Sequence, residues 1–253
     1  MCTLTIAWQV FADAPVAVAA NRDEALDRPS EPPTRVDADP VFVAPRDAEA
    51  GGTWIGYNEY GVFVGVTNRW RDVEGGGERS RGLLVRDALG AESAEDAARL
   101  VEREVARHRY DAFNLVVADA NAAVFVQWNG HLAVRNLEPG VHVVVNVGAA
   151  LGGGGFVEED FFVPEARPEV GAEQAADARR VREALTAEPG ESADEWLDRA
   201  ASVLGDHQYG VCVHGDGYGT RSSSLVKLGA ERRYEFAPGP PCQTAYETVE
   251  GQL

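Results

Sequence analysis

Cys2 stands directly behind Met1, and the polar run Asn21-Arg22-Asp23-Glu24 closes the apolar stretch that follows it. If Met1 is removed, Cys2 carries a thiol and a free α-amine on one residue, so a nucleophile and its general base come as a unit. Their ordinary pKa values, about 8.5 and about 7.7 to 8.0, allow a useful thiolate near neutrality with modest electrostatic help. The plainer alternative makes Cys2 an early strand residue. A carboxylate such as Asp23 can orient the amine, and the Arg22 guanidinium can lower a neighbouring thiol's pKa. The plainer alternative here is a strand-end turn with a surface ion pair.

Other polar side chains are candidates on chemical type. A nucleophile that attacks a carbonyl needs donors where the tetrahedral oxygen develops, each worth on the order of 3 kcal/mol, and Asn68 or Asn146 can supply one. Either amide can equally cap unpaired backbone at a strand end. Arg221, between Thr220 and Ser222, is a further candidate, or a surface partner for Asp216. Asn21, Glu24, Arg69, Trp54 and Trp70 are the candidate substrate contacts, the two tryptophans as pocket walls or as packing residues. His207, Cys212 and His214 are soft metal ligands around one segment, but a closing fourth ligand is not evident; no metal site is expected, and Cys212 reads as core. The Gly152 to Gly155 run lacks the lysine and hydroxyl of a phosphate loop and reads as a flexible loop. No cofactor is expected.

These residues need elements to position them. Leu4 to Val10 and Val16 to Ala20 read as a hairpin ending at Asn21, which delivers the polar run beside Cys2. Glu31 to Pro45 reads as an extended, proline-rich segment. Thr53 to Tyr57 and Val62 to Thr67 form a second hairpin, entered through glycines that permit close backbone approach. Leu83 to Leu89 and Ala94 to His108 carry helical spacing, with Ser93 as an N-cap. Phe113 to Ala118, Ala123 to Trp128, His131 to Val134 and Val141 to Val147 read as a meander. An irregular stretch from Gly152 through Pro168 precedes helices over Ala172 to Thr186 and Ala193 to Leu204. Val211 to His214, Arg221 to Leu228 and Arg233 to Phe236 are the last strands. Hairpins with helices inserted in pairs define an α+β class, two antiparallel sheets face to face with helix pairs outside. Residues 1–253 read as a single domain, with 239–253 an extended tail.

The composition narrows the partners. With 253 residues and 45% hydrophobic content the chain can bury a sizeable core. Its 41 acidic against 23 basic residues give a formal net charge of -18 at pH 7, and Lys227 is the sole lysine. Such a surface repels phosphate backbones and anionic membranes, so no nucleic-acid partner is expected. Acid in excess with almost no lysine reads as adaptation to a salty cytoplasm, where screening removes self-repulsion. Three cysteines, an odd number at wide spacing, argue for a reduced compartment rather than a disulfide framework. No span or leader is evident, so a cytoplasmic chain starting at or next to Cys2 is expected.

Ordered motifs give the sequence a family likeness. Met1-Cys2-Thr3, Ala19-Ala20-Asn21-Arg22-Asp23-Glu24 with Arg28-Pro29, and Pro45-Arg46-Asp47 leading into Ala50-Gly51-Gly52-Thr53-Trp54-Ile55-Gly56 open the series. Thr67-Asn68-Arg69, Ser80-Arg81-Gly82, Phe113-Asn114-Leu115 and Tyr218-Gly219-Thr220-Arg221-Ser222 continue it in order. The set, spanning residues 1 to about 228, resembles the NRDE family, the relatives of transport and Golgi organisation protein 2. The resemblance implies an N-terminal nucleophile hydrolase fold, a four-layer αββα sandwich, similar to the cysteine branch that includes penicillin V acylase, bile salt hydrolase and acid ceramidase. It implies cleavage of a linear amide in a small acylated substrate. Cys2 would then be nucleophile and base, Asp23 its amine contact, Arg22 a tuning charge and Asn68 an oxyanion donor, with Asn146 and Arg221 at the remaining polar positions. The same family likeness implies an alternative, a non-catalytic binding or trafficking protein for haem, lipid or acyl-CoA on that scaffold.

Overall fold

The computed structural model describes residues 2–153 and 156–253. In chain order the first strands are β1 (Thr3–Trp8), β2 (Val16–Ala25), β3 (Ser30–Val36), β4 (Phe42–Asp47), β5 (Ile55–Asn58) and β6 (Phe63–Asn68). Helices α1 (Arg81–Ala88) and α2 (Ala94–Arg107) follow, then β7 (Phe113–Ala118), β8 (Ala123–Trp128), β9 (Leu132–Asn136), β10 (Gly140–Val145), β11 (Gly148–Gly153) and β12 (Phe156–Phe161). The chain ends with α3 (Pro168–Ala184), α4 (Ala193–Gly205), β13 (Tyr218–Leu228), β14 (Arg233–Ala237) and β15 (Glu247–Thr248). Two antiparallel sheets and four helices make an α+β fold, as the hairpin pattern predicts.

The chain divides into two compact units, Met1–Arg28 with Glu138–Val249, and Pro29–Leu137 with Glu250–Leu253. In the first, the strand order is β12-β11-β10-β1-β2-β13-β14-β15. Every residue of β1 is buried, on both faces of the strand, which is why Thr3 to Trp8 does not alternate polar with apolar. Its helices pack on this sheet, α3 against β10 and β11 and α4 against β2 and β13. Helix α4 starts in a capping box: Ser192 Oγ accepts from the Glu195 N–H, and the Glu195 carboxylate accepts from the Ser192 N–H. Helix α3 instead begins with Pro168, whose missing N–H costs nothing in a first turn.

In the second unit the order is β3-β4-β5-β6-β7-β8-β9, with α1 against β6 and α2 against β7 and β8. Leu84, Leu89, Val101, Phe113, Leu115 and Val126 belong to its continuous apolar core. Ser93 caps α2 as the sequence predicts, accepting from the Asp96 N–H at 3.1 Å. The glycine entry to β5 has the expected cause: a Cβ on Gly52 would lie 2.1 Å from the Gly82 carbonyl carbon, where Thr53 N donates to Gly82 O at 3.0 Å. Buried Asn58 holds four backbone groups, donating to Leu89 O and Ala91 O and accepting from Tyr60 N and Val62 N.

Several sequence expectations are corrected. Strand β2 does not stop at Asn21 but continues to Ala25, because Arg22 to Ala25 find partners on β13. The meander holds for β7, β8 and β9, whereas β10 leaves it to pair with β1, Thr3 opposite Val145. Glu31 to Pro45 is not one extended segment but the paired strands β3 and β4. Residues 211–214 are not a strand; they contribute a single bridge, His214 to Gly219. The stretch expected to be irregular from Gly152 includes the end of β11 and all of β12, while Gly154 and Gly155 of the glycine run lie outside the described residues. Within 239–253, β15 pairs with β14, and Tyr246 Oη lies 2.7 Å from Ser223 Oγ.

Candidate active site

The first unit brings Cys2 to the ends of three strands. Strand β1 lies between β10 and β2, so Thr3 sits opposite both Val145 and Asn21. One residue earlier, the Cys2 N–H donates to Asn146 Oδ1 at 2.9 Å. The same oxygen accepts from Gln174 Nε2 at 2.9 Å, and Gln174 Oε1 accepts from the Val147 N–H at 3.2 Å. Gln174 therefore fixes which way the Asn146 amide faces. The thiol of Cys2 donates to the Asp23 carbonyl at 3.5 Å, and Tyr218 Oη donates to that carbonyl at 3.1 Å.

Asn21 and Asp23 share one face of β2, and Arg22 and Glu24 share the other. The Asp23 carboxylate accepts from Thr220 Oγ1 at 2.6 Å, and Thr220 Oγ1 accepts from the Val213 N–H at 2.8 Å. Burial pushes the Asp23 carboxyl above its ordinary pKa, opposed by the Thr220 hydrogen bond. Burial likewise raises the Cys2 thiol, the Asp23 charge adding to it while the hydrogen bond to the Asp23 backbone and the Arg22 charge oppose it. Tyr218 is also raised, by burial first and then by the neighbouring Cys2 and Asp23.

Arg22 is only 7% exposed, and its guanidinium lies 3.9 Å from Glu24. Asn21 donates through Nδ2 to Leu204 O at 3.0 Å and Val211 O at 2.8 Å, so both amide hydrogens tie β2 to the end of α4 and the turn beyond it. Pairing of β2 with β13 shifts between Thr220 and Ser222, leaving Arg221 as the extra residue of a bulge. The Arg221 guanidinium donates to Arg28 O at 3.1 Å, rather than meeting Asp216 as the plainer sequence alternative has it.

The other candidates belong to the second unit. Asn68 ends β6 opposite Phe113. The Arg69 guanidinium donates to Asn114 Oδ1 at 2.7 Å, and Asn114 Nδ2 donates to Thr67 Oγ1 at 3.3 Å. Trp54 and Trp70 are each half-buried, and Trp54 O accepts from the Val66 N–H. An open depression of about 320 Å³, lined by Glu188, Gly190, Glu191 and Arg199, contains none of the candidate residues.

Sequence reasoning did not single out Gln174, Thr220 or Tyr218. Gln174 and Thr220 are buried polar groups, and such groups require partners, whereas Tyr218 is 41% exposed and carries no such signal. Nor did it reach Cys242, whose thiol joins the His214 imidazole at 3.1 Å.

The strand order with paired helices, and a cysteine at the head of β1, define a protein with the fold of the N-terminal nucleophile hydrolases. Penicillin V acylase from Agrobacterium tumefaciens superposes with a TM-score of 0.58 at 16% identity, covering 94% of this chain and 83% of that one. The C2A mutant of conjugated bile acid hydrolase from Clostridium perfringens gives 0.60 at 12% identity, covering 100% and 94%. An N-acylethanolamine-hydrolyzing acid amidase ortholog from Caenorhabditis elegans gives 0.56 at 13% identity, covering 89% and 92%. At these identities the likeness establishes the fold. The chain belongs to the Transport and Golgi organisation 2 family, whose sequence profile matches residues 1–237. It is similar to the mouse Transport and Golgi organization 2 homolog, 26% identical over 234 residues, covering 87% of this chain and 84% of the relative. The human homolog is 25% identical over 240 residues, with the same coverage of each chain.

Proposed function

We propose that this chain is a cysteine N-terminal nucleophile amidohydrolase acting on the linear amide of a small acylated substrate. The observation that carries the reading is the double anchoring of Cys2, its nitrogen on Asn146 Oδ1 and its thiol on the Asp23 carbonyl. Neighbours in fold named penicillin V acylase, conjugated bile acid hydrolase and N-acylethanolamine-hydrolyzing acid amidase support an acyl amide as the substrate class.

With Met1 removed, the Cys2 nitrogen becomes an α-amine. The amine of the same residue takes the thiol proton as attack occurs. Sγ then bonds to the acyl carbon, and the carbonyl oxygen becomes an oxyanion. Collapse breaks the carbon–nitrogen bond, and the Cys2 ammonium returns its proton to the departing amine. Water, deprotonated by the amine, next attacks the thioester, freeing the carboxylic acid and the thiol. Asn146 Oδ1 stabilises the ammonium between these steps, held in orientation by Gln174. Asp23, steadied by Thr220, and Arg22 are assigned to the electrostatics around the thiol and amine. Arg221, on β13 of the same unit, is assigned to one of the remaining polar positions of the catalytic site. Each assignment is tested by alanine substitution, read as the rate at which Cys2 is acylated.

Intact-mass measurement before and after a thiol-directed acylating probe tests the mechanism. Loss of Met1 and one adduct at Cys2, absent from Cys2→Ala, are expected. Retained Met1, or labelling of Cys212 with Cys2 untouched, would overturn it.

A further inference from the structure

A second group of chemically capable side chains converges beyond the end of α4. His207, His214 and Cys242 each bring one donor atom to within 4.8 Å of the others. His214 Nε2 lies 3.1 Å from Cys242 Sγ and 3.7 Å from Cys212 Sγ. Around a tetrahedral zinc ion, Zn–N of about 2.0 Å and Zn–S of about 2.3 Å hold nitrogen and sulfur about 3.5 Å apart. The two observed separations bracket that value. A thiol–imidazole hydrogen bond explains the shorter one by itself, but not the arrival of two more soft donors. The His207 and His214 rings also lie side by side, their centroids 5.1 Å apart.

The backbone is shaped for this convergence. A 3-10 turn over His207–Tyr209 ends at Gly210 with φ 71°, where a Cβ would lie 2.2 Å from an Asp177 carboxylate oxygen. That left-handed residue reverses the chain, so His214 comes back beside His207. Gly219 makes room for the bridge to His214, since its Cβ would meet Val213 O at 2.6 Å. Cys242 arrives from the segment after β14, its nitrogen 3.4 Å from where a Gly205 Cβ would be.

We propose that His207, His214 and Cys242 bind a zinc ion that pins the turn after α4 to the segment around Cys242, with Cys212, which lies against His214 but outside that trio, drawn in as fourth ligand when the metal binds. Two imidazoles and two thiols form a borderline-soft donor set that suits zinc over magnesium or calcium. On binding, each cysteine releases its thiol proton and the metal–sulfur bond takes its place. The site is structural, because its four positions are filled by protein. It also reaches the Cys2 site mechanically: Val213 lies between two of the ligands, and its N–H orients the Thr220 hydroxyl that donates to Asp23. The inference does not depend on amide hydrolysis, and its readout is metal uptake.

The test is an anaerobic titration of reduced, chelator-stripped full chain with Co2+, followed by back-titration with Zn2+. One Co2+ per chain with the intense visible bands of a tetrahedral thiolate complex, displaced by zinc, is expected. Cys2→Ala keeps that spectrum, whereas His214→Ala and Cys242→Ser, on two separate segments and each checked for folding by circular dichroism, lose it. Absence of uptake by the reduced wild-type chain, a weak octahedral spectrum, or uptake unchanged in both ligand variants would overturn the proposal.

Discussion

The Cys2 nitrogen and the Asn146 side-chain oxygen meet at 2.9 Å although 144 residues separate them in sequence. The contact exists because β10 crosses back to flank β1, and it makes Asn146 the acceptor for two donors, Cys2 N and Gln174 Nε2.

Asn146→Ala removes that shared acceptor and leaves buried donors unmatched. A loss of about 1 to 3 kcal/mol of stability is expected in urea unfolding, together with slower acylation of Cys2. Asn146→Asp restores an acceptor and recovers more of the stability than of the acylation rate, because a second carboxylate near Cys2 disfavours its thiolate.

Thr220→Val keeps the shape of the side chain but deletes the hydroxyl that links the Val213 N–H to the Asp23 carboxylate. The expected cost is about 1 to 3 kcal/mol, with Thr220→Ser near wild type. Equal urea midpoints for wild type and Thr220→Val would contradict the arrangement.

His142 on β10 is 1% exposed, and burial pushes its pKa down to about 4. Its Nε2 lies 2.9 Å from Glu138 O, while Nδ1 has no hydrogen-bond partner among the described residues. The unfolded chain therefore takes up this proton near pH 6.5, well before the folded chain does. Stability is expected to fall by on the order of 3 kcal/mol as pH drops from about 6.5 to about 4, and His142→Asn flattens that slope. Urea midpoints measured across the range check both.

A net charge of -18 repels itself at low ionic strength. The melting temperature should rise with potassium chloride concentration, and do so steeply at the low end where the Debye length is longest. A melting temperature indifferent to salt would sink the reading of the surface as adapted to salt.

The sequence showed local features well and non-local ones poorly. The ends of β7 and β8 are given by short apolar runs bounded by turn residues, and Ser93 by its position ahead of an amphipathic run. Strand β10 was misplaced because proximity in sequence suggested a meander, whereas its buried valines pair with β1. Around Cys2, the motif exposed Asp23, and strand-end chemistry exposed Asn146. Gln174 was invisible because its role depends on how α3 docks, a fact of packing rather than of pattern. Cys242 was passed over for a related reason: nothing in 239–253 has a period, so its return to His214 has no local signature.

The single extra residue at Arg221 selects the chemical character of the acid beside Cys2. Counted regularly down from the Ser222–Arg22 pair, β13 would set Arg221 opposite Asp23; the insertion sets Thr220 there instead. A neutral hydroxyl thus takes the place of a permanent cation, and Asp23 is raised by burial where a facing guanidinium would have depressed it. One residue of strand phase thus decides which side chain faces Asp23, and deleting Arg221 or moving the bulge by a step would change the charge beside that carboxyl with Cys2 and the candidates on β2 still in place.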